Sequence, residues 1–169
     1  MSNREVLISI TGAFIATLLA SFFSYTILSA EQTPIILAST GASAMLIFGL
    51  PHSPVSKPWH LVGGHLVSAL VGVTCQKLIQ NPILASSLAI AVAMLLMHHL
   101  RCIHPPGGAT AVTAVIGGEQ VEALGYFFVI LPVFFNSIIL LSIAIAVATL
   151  RENNPFYPEA TDSKETFNS

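Results

Sequence analysis

Charge rarely interrupts this chain. No Asp, Glu, Lys or Arg lies between Glu5 and Glu31, Glu31 and Lys57, Lys57 and Lys77, Lys77 and Arg101, or Arg101 and Glu119, nor from Ala123 to Leu150. Six charge-free runs follow. A membrane-crossing helix needs roughly 20 apolar residues. Runs Val6–Ala30, Leu61–Gln76 with its neighbours, Pro82–Leu100 and Ala123–Leu150 meet that length. Pro132 is expected to kink the last of them. Of 169 residues, 54% are hydrophobic and 8% charged. A soluble domain carries about 25% charged residues, so an ordinary soluble enzyme is excluded. Six Lys and Arg are too few for a nucleic-acid binder.

The remaining two runs are short. In one, Pro34 opens an apolar stretch that ends near Leu50, closed by Pro51 and Pro54; the other starts at Pro105-Pro106-Gly107-Gly108 and stops at Gly117-Gly118. Short or broken helices are therefore expected at Thr40–Leu50 and Pro105–Gly117. Helices that cover only part of the hydrocarbon thickness usually line a cavity, because bare backbone cannot face lipid.

Thr40-Gly41-Ala42-Ser43-Ala44 resembles Gly107-Gly108-Ala109-Thr110-Ala111, 67 positions later. Long runs flank each motif, so the chain parses as three runs plus three, about 6–80 and 82–150. With an odd number of crossings per repeat, the halves are inverted, a recurrent transporter plan. The expected fold is all-α: a polytopic transmembrane bundle of two inverted three-helix repeats, forming one domain over 1–150. Residues 151–169 read as a short polar cytoplasmic tail. Arg4, Lys57, Arg101 and Arg151 fall on one side, opposed by Lys77 alone, which puts both termini in the cytoplasm.

The Pro105-Pro106 start is preorganised for a first helical turn. The N–H groups of Gly107, Gly108, Ala109 and Thr110 are expected to form an anion site at the positive end of the helix. His104 and the Thr110 hydroxyl add donors, and Thr40, Gly41, Ala42 and Ser43 supply the matching set from the first repeat. Gly108 is expected to let the backbone approach the ion closely. Arg101, His98, His99, Lys57 and His65 are the candidates for anion entry and proton coupling. Met94, Met97, His98, Cys102 and His104 offer an alternative soft-metal route, although their spacing matches no zinc pattern. No nucleophile, Walker loop or acidic pair is present, so neither catalysis nor a cofactor is expected.

The stretch His104-Pro105-Pro106-Gly107-Gly108-Ala109-Thr110-Ala111 resembles the signature of the HPP family of integral membrane proteins. Gly49-Leu50-Pro51-His52-Ser53-Pro54, Pro58-Trp59 and Gly63-Gly64-His65 extend the resemblance. It covers the chain from about Val6 to Leu150. The family is usually described with four spans, against six runs here. Some members resemble nitrite transporters of cyanobacteria and chloroplasts, so the resemblance implies transport, with nitrite the leading substrate. The expected setting is a bacterial, cyanobacterial plasma membrane, with the chain as a homo-oligomer (dimer or trimer). The alternatives are soft-metal transport or sensing, and a non-transporting subunit of a membrane assembly.

Overall fold

The computed structural model describes residues 3–28 and 33–150. Glu31, Arg151 and the tail at 151–169 lie outside the described residues. The described chain is helical: α1 Asn3–Ile27, α2 Thr33–Gly49, a 3-10 turn Pro54–Ser56, α3 Pro58–Leu78, α4 Pro82–His99, α5 Gly107–Ile116, α6 Glu119–Leu124, a π-helical segment Val129–Phe134, and α7 Phe135–Ala148. Four stretches are long and apolar enough to cross a membrane: α1, α3, α4 and Val129–Ala148; α2 and α5 are shorter apolar helices.

Composition explains how the helices pack. α1 buries Ser9, Gly12, Ala16, Ala20 and Ser24, and α4 buries Ala85, Ala89, Ala93 and Met97. A spacing of three or four puts each set on one face. These faces are made of small side chains, while Leu7, Phe14, Phe22, Ile83, Leu84 and Met94 point outward. Lipid is as apolar as leucine, so membrane helices associate by close packing of small residues rather than by hiding large ones. α3 is the central helix and buries ten residues, among them Gly63, Gly64, His65, Ser68 and Gly72. Within α7, Asn136 donates from Nδ2 to Ser24 Oγ of α1 at 2.7 Å, tying the two helices by a buried polar bond.

Local chemistry sets the helix ends. Asn81 caps α4 by accepting from Ile83 N and Leu84 N, both at 3.0 Å, with Pro82 in the first turn. Pro58 likewise stands in the first turn of α3, which has no side-chain cap. Gly118 has φ 88°, a conformation that favours glycine, and it separates α5 from α6. The single run expected over Ala123–Leu150 is divided: α6 ends at Leu124, Gly125 turns with φ 51°, and a kinked helix follows. The kink lies at Leu131 (φ −120°, ψ 112°), directly before Pro132, whose ring disfavours helical dihedrals in the preceding residue.

The largest departure from expectation is at α2. This helix starts at Thr33 rather than Thr40, so Thr40, Gly41, Ala42 and Ser43 sit well inside it. Pro34 is tolerated in a first turn, and the apolar residues after it carry the helix onward. The similar motif Gly107–Ala111 behaves differently. Pro105 and Pro106 cannot occupy a helix interior, so residues 100–106 leave the helical path and α5 begins only at Gly107.

A ladder of contacts along α3 fixes the path of this broken segment. Trp59 Nε1 donates to Leu100 O at 3.1 Å. Gly63 then packs on Cys102, Gly64 on His104, Gly107 on Ser68, and Gly72 on Ala111 and Ala114, while Gly125 lies near Lys77. Residues 100–125 thus run the full length of α3 in the same direction. α5 spans about 15 Å of that path at 1.5 Å per residue, and the irregular segment before it supplies the rest. Gly12 of α1 packs on Phe48 of α2 and Val147 of α7. Arg4, Lys57 and Arg101 consequently share one end of the bundle, and Lys77, Glu119 and Glu122 the other.

Candidate functional site

The structure brings both repeat motifs together around one imidazole. His65 of α3 contacts Thr110 Oγ1 through Nδ1 at 2.7 Å and Ser43 Oγ through Nε2 at 2.7 Å. Ser43 and Thr110 are equivalent positions of the repeated motif, 67 residues apart. The two related hydroxyls therefore hold the two nitrogens of the same ring.

The chain of bonds continues both ways. Ser43 Oγ lies 3.0 Å from His104 Nε2, and His104 Nδ1 lies 3.0 Å from Val55 O. At the other end Thr110 Oγ1 lies 2.9 Å from Ser39 Oγ. The rings of His65 and His104 stand edge to face, 4.9 Å between centroids. Ser39, Ser43, His65, His104 and Thr110 are all buried. α2 supplies Ser39 and Ser43 one turn apart, so they share a face. The Val55 carbonyl is held by the 3-10 turn, where Ser56 Oγ donates to Leu50 O at 2.8 Å. The approach to His104 is fixed by His60, whose Nδ1 donates to Ile103 O at 2.7 Å.

With His104 neutral, one arrangement of hydrogens satisfies every bond. A backbone carbonyl only accepts, so His104 carries hydrogen on Nδ1. A neutral His104 then accepts at Nε2, and Ser43 donates to it. Ser43 in turn accepts from His65 Nε2–H, which leaves His65 Nδ1 to accept from Thr110. Thr110 accepts from Ser39. Both imidazoles are neutral in this arrangement and every donor points toward Val55.

The other expected residues separate into distinct places. The N–H groups at the start of α5 are already bonded internally: Gly107 N to His104 O at 2.8 Å, Gly108 N to Pro105 O at 3.0 Å, and Ala109 N and Thr110 N to Pro106 O at 3.1 and 3.4 Å. This tight turn closes the expected backbone anion site at Gly107, Gly108, Ala109 and Thr110. Thr40, Gly41, Ala42 and Ser43 present no helix terminus either, because α2 runs through them; Thr40 Oγ1 donates to Ile36 O of its own helix at 3.1 Å. Side chains, not backbone N–H groups, therefore make the polar centre.

Ala42, Pro105, Pro106 and Ala109 instead line an apolar cleft of about 630 Å³ with Met45, Leu46, Gly49 and Leu50. Arg101, His98, His99 and Lys57 are exposed, gathered where residues 100–106 enter the bundle. His99 Nδ1 donates to Leu95 O at 2.8 Å, and the His98 and His99 rings are 6.2 Å apart. The five soft-metal candidates do not converge. Met94 and His98 are exposed while Met97, Cys102 and His104 are buried, and among the described residues no three His, Cys, Asp or Glu side chains are placed to hold an ion.

The two motif glycines behave oppositely. A Cβ on Gly107 would stand 2.6 Å from Ser68 Oγ and 3.1 Å from Gly64 O, whereas one on Gly108 would meet nothing within 4 Å. The close approach expected at Gly108 belongs to Gly107, and the neighbour it approaches is α3 rather than an ion. Gly107→Ala should therefore destabilise the protein by about 1–3 kcal/mol through overpacking. Gly108→Ala should be neutral or stabilising by up to about 1 kcal/mol through helix propensity. Melting of both variants in detergent checks this contrast; equal melting temperatures would contradict it.

Ser39, Val55 and His60 were not singled out from the sequence. Ser39 had one local signal, its position one turn before Ser43. Val55 enters through a backbone carbonyl, which leaves no mark in the sequence.

Comparison with known proteins places this arrangement in a family. The model of the HPP transmembrane region matches residues 1–158. A Dictyostelium discoideum protein described only as a transmembrane protein is 37% identical over 140 residues, which cover 80% of this chain and 45% of that protein. A second from the same organism, also named only as a transmembrane protein, is 34% identical over 140 residues, covering 80% of this chain and 49% of its own length. The chain thus spans about half the length of these relatives. No solved structure matches it. The family model covers nearly the whole chain and contains its four long apolar helices: the chain is a member of the HPP family of integral membrane proteins.

Proposed function

We propose that this protein is a membrane transporter or channel for a small inorganic anion, nitrite being the leading substrate, and that it acts without catalysis. The observation that carries the reading is the buried chain of Ser39, Thr110, His65, Ser43 and His104. It is a line of hydroxyl and imidazole groups between α2, α3 and α5 in a bundle otherwise packed by apolar and small residues. Among the described residues the buried polar side chains are serine, threonine, histidine and asparagine, with no carboxylate. Such a chain carries no fixed negative charge that would attract a cation, and its hydroxyls and imidazoles can reorient their hydrogens toward an anion. Buried polar groups in membrane segments commonly mark a substrate path.

The helix directions support an inverted repeat. α1, α2 and α3 of the first half correspond to α4, α5 and α7 of the second with each direction reversed. Six crossings result, the fifth made of residues 100–106 plus α5. Broken helices at the repeat interface are where transporters of this plan hold substrate. Arg4, Lys57 and Arg101 at one end support a cytoplasmic setting for that end by the positive-inside rule. The exposed Arg101, His98, His99 and Lys57 there would draw anions to the mouth. The setting proposed is a bacterial plasma membrane, with the chain as a dimer or trimer.

The test is nitrite entry into liposomes carrying the purified protein, against liposomes without it. Protein-dependent entry supports the reading. Entry equal to that of empty liposomes, with the protein inserted and folded, contradicts it.

A further inference from the structure

We propose that the chain from Ser39 to His104 is a proton relay that charges His104 when an anion enters, so that one proton is taken up with each anion bound and returns by the same path when the anion leaves. The inference rests on the anion-transport reading above and names its coupling. Its basis is that the same bonds are satisfied with one polarity when His104 is neutral and with the opposite polarity when it is charged. Val55 O accepts from His104 Nδ1 at 3.0 Å and holds that hydrogen in place. His104 can therefore gain a proton only at Nε2, from Ser43. Each member upstream faces the next through one bond of 2.7–3.0 Å. Ser39, at the head of the chain, donates to Thr110 and keeps its own oxygen lone pairs available.

The transfer balances atom by atom. A proton that enters with the anion binds Ser39 Oγ, and the original Ser39 hydrogen passes to Thr110 Oγ1. The Thr110 hydrogen passes to His65 Nδ1. His65 releases its Nε2 hydrogen to Ser43 Oγ, and the Ser43 hydrogen passes to His104 Nε2. One proton has entered, His104 has become an imidazolium, and His65 has exchanged one neutral tautomer for the other. No oxidant, reductant or further reactant takes part.

The surroundings make that charge dependent on the anion. α2 and α5 carry no titratable side chain, and α3 contributes His60, Lys77 at its far end, and Cys75. Residues 100–106 contribute Arg101 and Cys102, the 50–57 loop His52 and Lys57, and α4 His98 and His99. None of these is a carboxylate, and the described carboxylates, Glu5, Glu119 and Glu122, lie in the first turns of α1 and α6. A buried imidazolium without a counter-charge is costly. The entering anion is the group that can balance it.

The purified full-length chain in detergent, titrated with sodium nitrite in weakly buffered solution near pH 7, gives the test. Proton uptake is read with a pH indicator, and nitrogen NMR reads the imidazole of His104. The expected result is about one proton taken up per nitrite bound, with the His104 signal moving from the Nδ1–H tautomer to imidazolium. Ser43→Ala should cut uptake per bound nitrite at least about tenfold, and Ser43→Thr should restore it by returning the hydroxyl. Nitrite binding with no proton uptake by the unaltered protein would overturn the relay and leave anion transport standing. No nitrite binding would overturn both. The unaltered protein decides the question even where a variant fails to fold.

Discussion

Replacing His65 with phenylalanine should abolish nitrite transport and destabilise the protein together. The ring volume is nearly kept, so packing changes little. Both nitrogens are lost, and with them the bonds at 2.7 Å to Ser43 and Thr110. Those two hydroxyls are buried, and each unsatisfied group costs about 1–3 kcal/mol. Part of that is recovered where Ser43 turns wholly to His104 and Thr110 to Ser39, which leaves a net loss of about 1–3 kcal/mol. Transport should fall further than stability, because no group would then link the two repeat motifs. Melting in detergent and nitrite flux at matched insertion check the two effects separately. Unchanged flux would remove His65 from the path.

The largest effect on stability should come from Gly72→Val. A Cβ at Gly72 would stand 2.5 Å from Ala111 O and 2.6 Å from Ala114 Cβ. The first of these is backbone and cannot rotate away, so α3 and α5 would have to separate. Overpacking of this kind costs about 1–3 kcal/mol for modest intrusions, and a branched side chain against a helix backbone lies at the upper end. Loss of most folded protein, measured as monodisperse yield from detergent, is the expected result. Gly64 offers a companion test, since its Cβ would fall 2.5 Å from His104 Cβ. Alanine there should displace His104 from both Ser43 and Val55. A Gly72→Val protein of ordinary yield would mean that the α3–α5 contact is looser than these distances.

Much of this fold was legible from where charge and proline fall. The ends of α1 and α4 follow from the first charge-free run and from the Asn81-Pro82 start. The broken fifth element follows from Pro105-Pro106. Pro34 marks the opening of the α2 stretch, but the short helix expected from Thr40, by its likeness to Gly107–Ala111, is one continuous helix from Thr33. The backbone anion site was misplaced for a different reason. Proline and glycine suggest free N–H groups, but a tight turn lets the carbonyls of His104, Pro105 and Pro106 take all four. The meeting of His65 with Ser43, His104 and Thr110 has no local signature, since it depends on how α2, α3 and α5 pack. What the sequence did carry was the similarity of Thr40–Ala44 to Gly107–Ala111, and the two matching hydroxyls, Ser43 and Thr110, are the ones that contact His65.

The most direct measurement is nitrite flux through Thr110→Ser and Thr110→Val side by side in liposomes. Both substitutions suit the buried site in size, and serine alone keeps the hydroxyl between Ser39 and His65. Flux near the unaltered level for serine, with a loss of at least about tenfold for valine, equivalent to about 1.4 kcal/mol in the barrier, is the predicted result. Equal flux through both, with both proteins folded, would contradict a transport path through the hydroxyl–imidazole chain.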